Sequence, residues 1–175
     1  EVALSRNHYR FVFDEFYQLK SIAFYNGETP RKPNHTANLF MLSHQIKFSY
    51  TDSTEHMFFF DSEGKVTAVL GNCSSFSYTI DERGYRKSLH FLDQDENRIT
   101  NSWGIYQYQW SYQEDGSVIE ERQDQAGESV AIRPGFEFYR LKLNFNHLGQ
   151  IARMQNIDEN GELIENSSGA SQDVI

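Results

Sequence analysis

The sequence predicts an all-β fold, an antiparallel meander of about five hairpin units with about 33 residues in each unit. Three columns of turn residues recur at spacings of about 30 to 34 residues, as repeat architectures require. The columns are Gly84, Gly116 and Gly149; Gly64, Asn97, Gly127 and Gly161; and Gly71, Gly104, Gly135 and Gly169. The composition agrees, because 15% of the residues are aromatic and only three are proline, which favours ordered strands.

The fourth unit, residues 106–135, shows the pattern most clearly. Residues 106–112 read Tyr-Gln-Tyr-Gln-Trp-Ser-Tyr, and this alternation is the period of a strand with one buried face. The pair Asp115-Gly116 predicts a hairpin turn, since glycine accepts positive φ. A second strand is expected over 117–123, then a turn at 124–127 and a short third segment over 128–133. We expect the aromatic side chains of 106–112 to face the core.

The other units follow the same plan. The predicted strands and turns are 9–13 and 14–17 in the first unit; 46–50, 51–54 and 61–64 in the second; 76–80, 81–84, 85–92 and 93–97 in the third; and 136–145, 146–149, 150–157 and 158–161 in the fifth. Asn97 is expected to replace glycine in its column, because asparagine tolerates the left-handed conformation. We expect a single repeat domain over residues 1–175, with a degenerate first repeat over 1–45 and clearer repeats over 46–169.

Two geometries fit such a meander. An open twisted sheet or solenoid is the favoured one. Closure into an up-and-down barrel is the alternative, because closure removes the unpaired edges of the sheet.

Charge and cysteine content restrict the partners. The formal net charge is −9, which disfavours nucleic acid, because phosphate binding needs clustered Lys and Arg. No run of about 18 apolar residues is present, so no transmembrane segment is expected.

Cys73 is the only cysteine, and the spacing of His35, His44 and His56 matches no zinc motif. We therefore expect no metal and no cofactor.

Four polar residues form the first candidate ligand site. When the second strands are aligned on their turns, His90 and Arg122 share one column, while Glu120 and Arg153 share the next. Stacked in register, the four form one polar cluster. In a closed sheet they would line a cavity with buried charge. In an open sheet they would lie on a solvated face with ion pairs such as Glu120 with Arg153.

Three aromatic residues form the second candidate ligand site. Most aromatic residues follow the strand period, which indicates core packing. Tyr85, Trp103 and Tyr139 break the alternation, so we expect them to be exposed. Exposed aromatic rings of this kind can stack against a carbohydrate.

The order aromatic-x-aromatic, Asp-x-x-Gly, strand, Asp-x-x-Gly resembles the bacterial YD-type repeats found in Rhs and teneurin shells. The resemblance covers residues 46–169. The Tyr-Asp pair of that family is absent, and Phe13-Asp14 and Phe60-Asp61 are the nearest matches. The resemblance implies an antiparallel sheet, built hairpin by hairpin, that acts as a shell, a spacer or a binding surface. It also implies a secreted, periplasmic or cell-envelope location, with a cytoplasmic one still open.

The function expected from these features is that of a non-catalytic binding or structural repeat module of a bacterial secreted or envelope protein. Its partner would be a protein, a carbohydrate or a small molecule. Two alternatives stay open, a lipocalin-like β-barrel that holds a small ligand and an enzyme that uses the polar strand faces. The sequence contains no Gly-x-Ser-x-Gly, no phosphate loop and no dinucleotide fingerprint, so no common catalytic motif supports the enzyme.

Overall fold

The structure, a computed structural model, describes residues 6–33, 43–133 and 135–175, and within these ranges it contains thirteen strands and no helix. The strands are β1 (Asn7–Phe13), β2 (Leu19–Asn26), β3 (Thr29–Pro30), β4 (Gln45–Tyr50), β5 (Thr54–Phe60), β6 (Ser75–Ile80), β7 (Arg86–Leu92), β8 (Arg98–Ile99), β9 (Gln107–Tyr112), β10 (Val118–Gln123), β11 (Arg140–Phe145), β12 (Ile151–Asn156) and β13 (Gln172–Val174). No described segment is a helix long and apolar enough to cross a membrane.

All strands belong to one antiparallel sheet in the order β1-β2-β4-β5-β6-β7-β9-β10-β11-β12-β13, with β3 added beside β2 and β8 beside β7. Among the described residues β1 and β13 are the outer strands, and no pairing joins them. The open meander is therefore confirmed. The closed up-and-down barrel is wrong, and with it the lipocalin-like architecture, because closure would require β1 to pair with β13.

The tight hairpins lie at one end of the sheet, and the β6–β7 hairpin, which carries an Asp-x-x-Gly motif, shows how such a turn closes. In the β6–β7 hairpin the Gly84 amide donates to the Asp81 carbonyl at 2.9 Å, and the Asp81 amide donates to the Tyr85 carbonyl at 2.8 Å. The Asp81 carboxylate also accepts from the Arg83 and Tyr85 amides. Gly84 has a φ of +85°. This is a three-residue hairpin loop with its last residue in the left-handed region.

The predicted turn positions are correct with one exception. Gly116 and Gly149 have φ values of +80° and +75°, as expected. In the turn that follows β7, however, the left-handed residue is Glu96, with φ +62°, and not Asn97. The four-residue turn begins at Asp93, so Glu96 is its fourth residue and takes the left-handed conformation. Asn97 is the fifth residue, and its amide donates to the Asp93 carboxylate at 2.9 Å.

The connections at the opposite end are longer, and they fold over one face of the sheet. Buried residues of these connections, such as Val69, Ile105 and Phe138, pack on strand residues that share that face. We call it the apolar face, and its strand residues include Ile22, Ile46, Phe59, Phe76, Phe91, Tyr108, Trp110 and Leu141. No described residue of the other face, which we call the polar face, belongs to either core cluster. That face includes Lys47, Ser77, Thr79, Ser88, His90, Gln107, Gln109 and Ser111.

The aromatic alternation of β9 is confirmed. Tyr108, Trp110 and Tyr112 pair with Arg122, Glu120 and Val118 on the apolar face. The core on that face forms two clusters, and Trp110 packs against both of them. The side chain of Trp110 is half-buried, and its indole donates to the Glu120 carboxylate at 2.9 Å.

Candidate functional site

The four residues expected to form one polar cluster lie on opposite faces of the sheet. His90 pairs with Gln107, which pairs with Gln123, so His90 lies on the polar face. Arg153 is on that face too, opposite Asn144. Arg122 and Glu120 are on the apolar face. The predicted cluster is therefore wrong as a single site.

β-bulges explain the misplaced register. Strand β7 carries an extra residue, Lys87, and strand β12 carries one at Ala152, whereas β10 pairs with β9 without a shift. Counting from the turn glycine is therefore off by one residue in β7 and β12, and a shift of one residue exchanges the two faces. By position in the fold, the residue that corresponds to Arg122 is Phe91 in β7, not His90.

Arg122 holds a connection in place and is fully buried. Its guanidinium donates to the Phe138 and Tyr139 carbonyls at 3.1 and 2.8 Å, to the Val130 carbonyl at 3.3 Å, and to the Glu120 carboxylate. Burial lowers the pKa of Arg122 and the Glu120 charge opposes that shift, so the guanidinium stays charged at neutral pH. All of these contacts are internal, and they make Arg122 a structural residue.

Arg153 has no part in this arrangement. Its side chain is exposed on the polar face. The ion pair that we expected between Glu120 and Arg153 does not form, because Glu120 pairs with Arg122 instead.

The three aromatic residues predicted to be exposed are exposed, with accessible fractions of 48% for Tyr85, 43% for Trp103 and 44% for Tyr139. They lie at separate places. Tyr85 stacks on Tyr112 beside a hairpin, with ring centroids 4.7 Å apart. Trp103 is in a turn of the β7–β9 connection. The main-chain carbonyl of Tyr139 accepts a hydrogen bond from Arg122. They do not form one stacking platform.

A groove of about 570 Å³ lies on the polar face, within the range of about 300–1,000 Å³ that is usual for ligand sites. We call it the polar groove. Strand residues of β6, β7 and β9 border it, and the bulge in β7 places Lys87 among them. The lining residues are Ser53, Thr54, Thr79, Ile80, Lys87, Ser88, His90, Arg98, Gln107, Gln109, Trp110 and Ser111.

His90 forms the buried floor of the polar groove, with only 7% of its surface accessible. Its Nε2 lies 3.5 Å from the Ser88 hydroxyl, which lies 2.7 Å from the Thr79 hydroxyl. Its Nδ1 has no hydrogen-bond partner among the described residues. Burial, and then the nearby charge of Arg98, lower the pKa of His90. The imidazole is therefore neutral at pH 7.

The charges at the polar groove are positive. Lys87 and Arg98 are exposed, and neither is within ion-pair distance of a carboxylate in the described part of the chain. Glu121 lies opposite Gln109 on the same face, but Arg140 pairs with it at 3.2 Å. The groove thus combines cations with neutral donors and acceptors in a protein whose net charge is −9.

A second cleft, of about 280 Å³, lies on the apolar face between Tyr78, Trp110, Tyr112 and Phe145. Its one cation, Arg86, lies 4.0 Å above the Tyr78 ring and pairs with Glu55. This cleft is smaller, and its charge is already neutralised. Among the described residues no group of three His, Cys, Asp or Glu side chains is placed to hold a metal ion; His35 lies outside the described residues.

Sequence reasoning found His90 but missed the rest of the polar groove. Lys87, Ser88, Arg98 and Gln109 come from three strands and are brought together by the pairing of β8 and β9 with β7. No local sequence pattern marks this set.

A scan against protein-family models finds no match for the chain, and a search of curated proteins finds none either.

Proposed function

We propose that the chain is a non-catalytic binding module of tandem β-hairpin repeats that holds its ligand in the polar groove. The observation that carries the proposal is the difference between the two faces of the sheet. The long connections cover the apolar face, whereas the polar face keeps a groove of about 570 Å³ with a buried, incompletely bonded His90 at its floor. Buried polar groups normally have partners, and a ligand is one source of them.

The repeat character of the module is supported by recurring hydrogen bonds. The amides of Thr67, Val130 and Ile164 each donate to the carbonyl eight residues earlier, at 2.9, 2.9 and 3.0 Å. The resemblance to YD-type repeats supports assignment to a bacterial secreted or envelope protein. We keep that assignment as part of the proposal.

The test is a ligand screen by saturation-transfer NMR, with a panel of oligosaccharides, sugar phosphates and amino acids. Gln109→Trp fills the polar groove from an exposed strand position, so folding should be retained. Ser49→Trp is the matched control, because Ser49 is exposed on the same face but does not line the groove. We expect at least one compound to bind the wild-type protein and the Ser49→Trp variant, but not the Gln109→Trp variant.

Two results would contradict the proposal. The first is that no compound in the panel binds the wild-type protein. The second is that binding persists at full strength in the Gln109→Trp variant. The first result would favour a structural spacer instead. In the part of the chain that the structure describes, β1 and β13 each pair on one side only, which leaves two strand edges for neighbouring elements.

A further inference from the structure

The polar groove can make more hydrogen bonds than it makes internally. The side chains of Gln109 and Ser111 form no hydrogen bond to another described residue, and both line the groove. Hydroxyl and amide groups both donate and accept. A ligand that matches them must also carry groups that do both, and sugar hydroxyls are such groups.

The two positive charges of the polar groove favour ligands that also carry negative charge. Lys87 projects from the bulge of β7, and Arg98 lies on β8, whose partner strand is also β7. Both line the groove. Neither cation forms an ion pair with a described carboxylate, and two carboxylates of neighbouring elements are engaged elsewhere, since Glu121 pairs with Arg140 and Asp81 with Arg83. A ligand with negative groups gains two charge contacts, because an Arg or Lys binds carboxylate or sulfate directly.

His90 adds a neutral hydrogen-bonding group at the floor. Its ring is held by its strand position and by the Ser88 hydroxyl, which in turn bonds the Thr79 hydroxyl. The exposed aromatic residues Tyr85, Trp103 and Tyr139 lie outside the groove. Trp110 does border the groove, but its indole donates to Glu120 on the apolar face. We therefore expect recognition here to depend mainly on hydrogen bonds and charge.

We infer that the polar groove binds an acidic oligosaccharide, a sugar chain with carboxylate or sulfate groups, whose negative groups contact Lys87 and Arg98 while its hydroxyls bond Gln109, Ser111 and the floor. This inference rests on the proposed function and names the class of its ligand.

Isothermal titration calorimetry with three probes tests the inference: tetragalacturonate, a chondroitin sulfate tetrasaccharide and the neutral maltotetraose. We expect at least one acidic probe to bind, maltotetraose to bind at least about tenfold more weakly, and the affinity for the acidic probe to fall as salt is added. An exposed charge contact is worth about two- to fivefold in affinity. The double variant Lys87→Gln/Arg98→Gln should therefore lose about tenfold.

The matched control is Lys47→Gln/Arg153→Gln. It removes the same charge from the same face, at exposed positions outside the groove. Its affinity should equal that of the wild-type protein. Equal loss in the two double variants would overturn the inference, since the attraction would then come from the whole face.

Two further results would also overturn it. If maltotetraose binds as tightly as the acidic probes and Gln109→Trp abolishes that binding, the groove is a ligand site but not one for acidic sugars. If none of the three probes binds, acidic oligosaccharides are excluded. The proposed function is then decided by the wider NMR panel and the Gln109→Trp variant.

Discussion

Replacing Arg122 by methionine should destabilise the protein strongly, because no water reaches the guanidinium. The side chain has no accessible surface and donates to the carbonyls of Val130, Phe138 and Tyr139 as well as to Glu120. Methionine has a similar length and no donor. The Arg122→Met change therefore leaves a carboxylate and main-chain carbonyls without their donor.

The expected loss in the free energy of unfolding is about 3–5 kcal/mol, the range for breaking a buried ion pair by removal of one partner. Glu120 keeps its hydrogen bond from the Trp110 indole, which favours the lower half of the range. Glu120 accepts from Trp110 through one carboxylate oxygen and from Arg122 through the other. The Glu120→Gln variant keeps one of these two acceptors and loses the charge, so it should lose about 1–3 kcal/mol.

Equilibrium unfolding in urea, followed by tryptophan fluorescence, measures these losses. Trp110 is a suitable reporter because it contacts both core clusters and Glu120. Arg98→Met is the matched control, since Arg98 is exposed and its loss should change stability by no more than about 0.5 kcal/mol. A loss below about 1 kcal/mol for Arg122→Met would refute the reasoning that a buried guanidinium holds the 124–139 connection on the sheet.

Three further predictions concern single residues. Gly116→Val should lose about 1–3 kcal/mol in urea unfolding because φ is +80° there, and a loss of only a few tenths would contradict the left-handed turn. Cys73 is fully buried and burial raises its pKa to about 11, so iodoacetamide at pH 8 should label it only after unfolding; rapid labelling of the native protein would count against the core. His90 has a lowered pKa when folded, so protons favour the unfolded state, and stability should fall as the pH drops below about 6.5. The fall should be smaller in His90→Gln, and parallel curves for the two proteins would exclude this role of His90.

Much of the fold could be predicted because its signals are local. A Gly at the fourth position of the Asp-x-x-Gly motif identifies a hairpin loop by itself, and the β9 alternation identifies the face of Trp110. The break in strand alternation at Tyr85 likewise identifies it as an exposed aromatic residue and not a core residue.

The site could not be predicted in the same way, because it depends on pairing and on bulges. Lys87 is one extra residue in β7, and nothing in the adjacent sequence marks it as a bulge. That single residue moves His90 to the face opposite Arg122. Arg98 joins the polar groove only because β8 adds to the side of β7. The structural role of Arg122 could not be predicted for another reason, since three of its acceptors are main-chain carbonyls, which carry no sequence signal.

The central claim is that the described connections pack on the apolar face of an open sheet and leave the polar groove accessible on the other face. Thiol reactivity tests it most directly, with single cysteines introduced in a Cys73→Ala background. Gln109→Cys lies on the polar face and Leu141→Cys on the apolar face, where Leu141 is fully buried. We predict that a maleimide reacts with the thiol at position 109 at the rate of a free thiol. The thiol at position 141 should react at least about a hundredfold more slowly, at a rate set by opening of the fold. Similar rates at the two positions, or a protected thiol at position 109, would contradict the account.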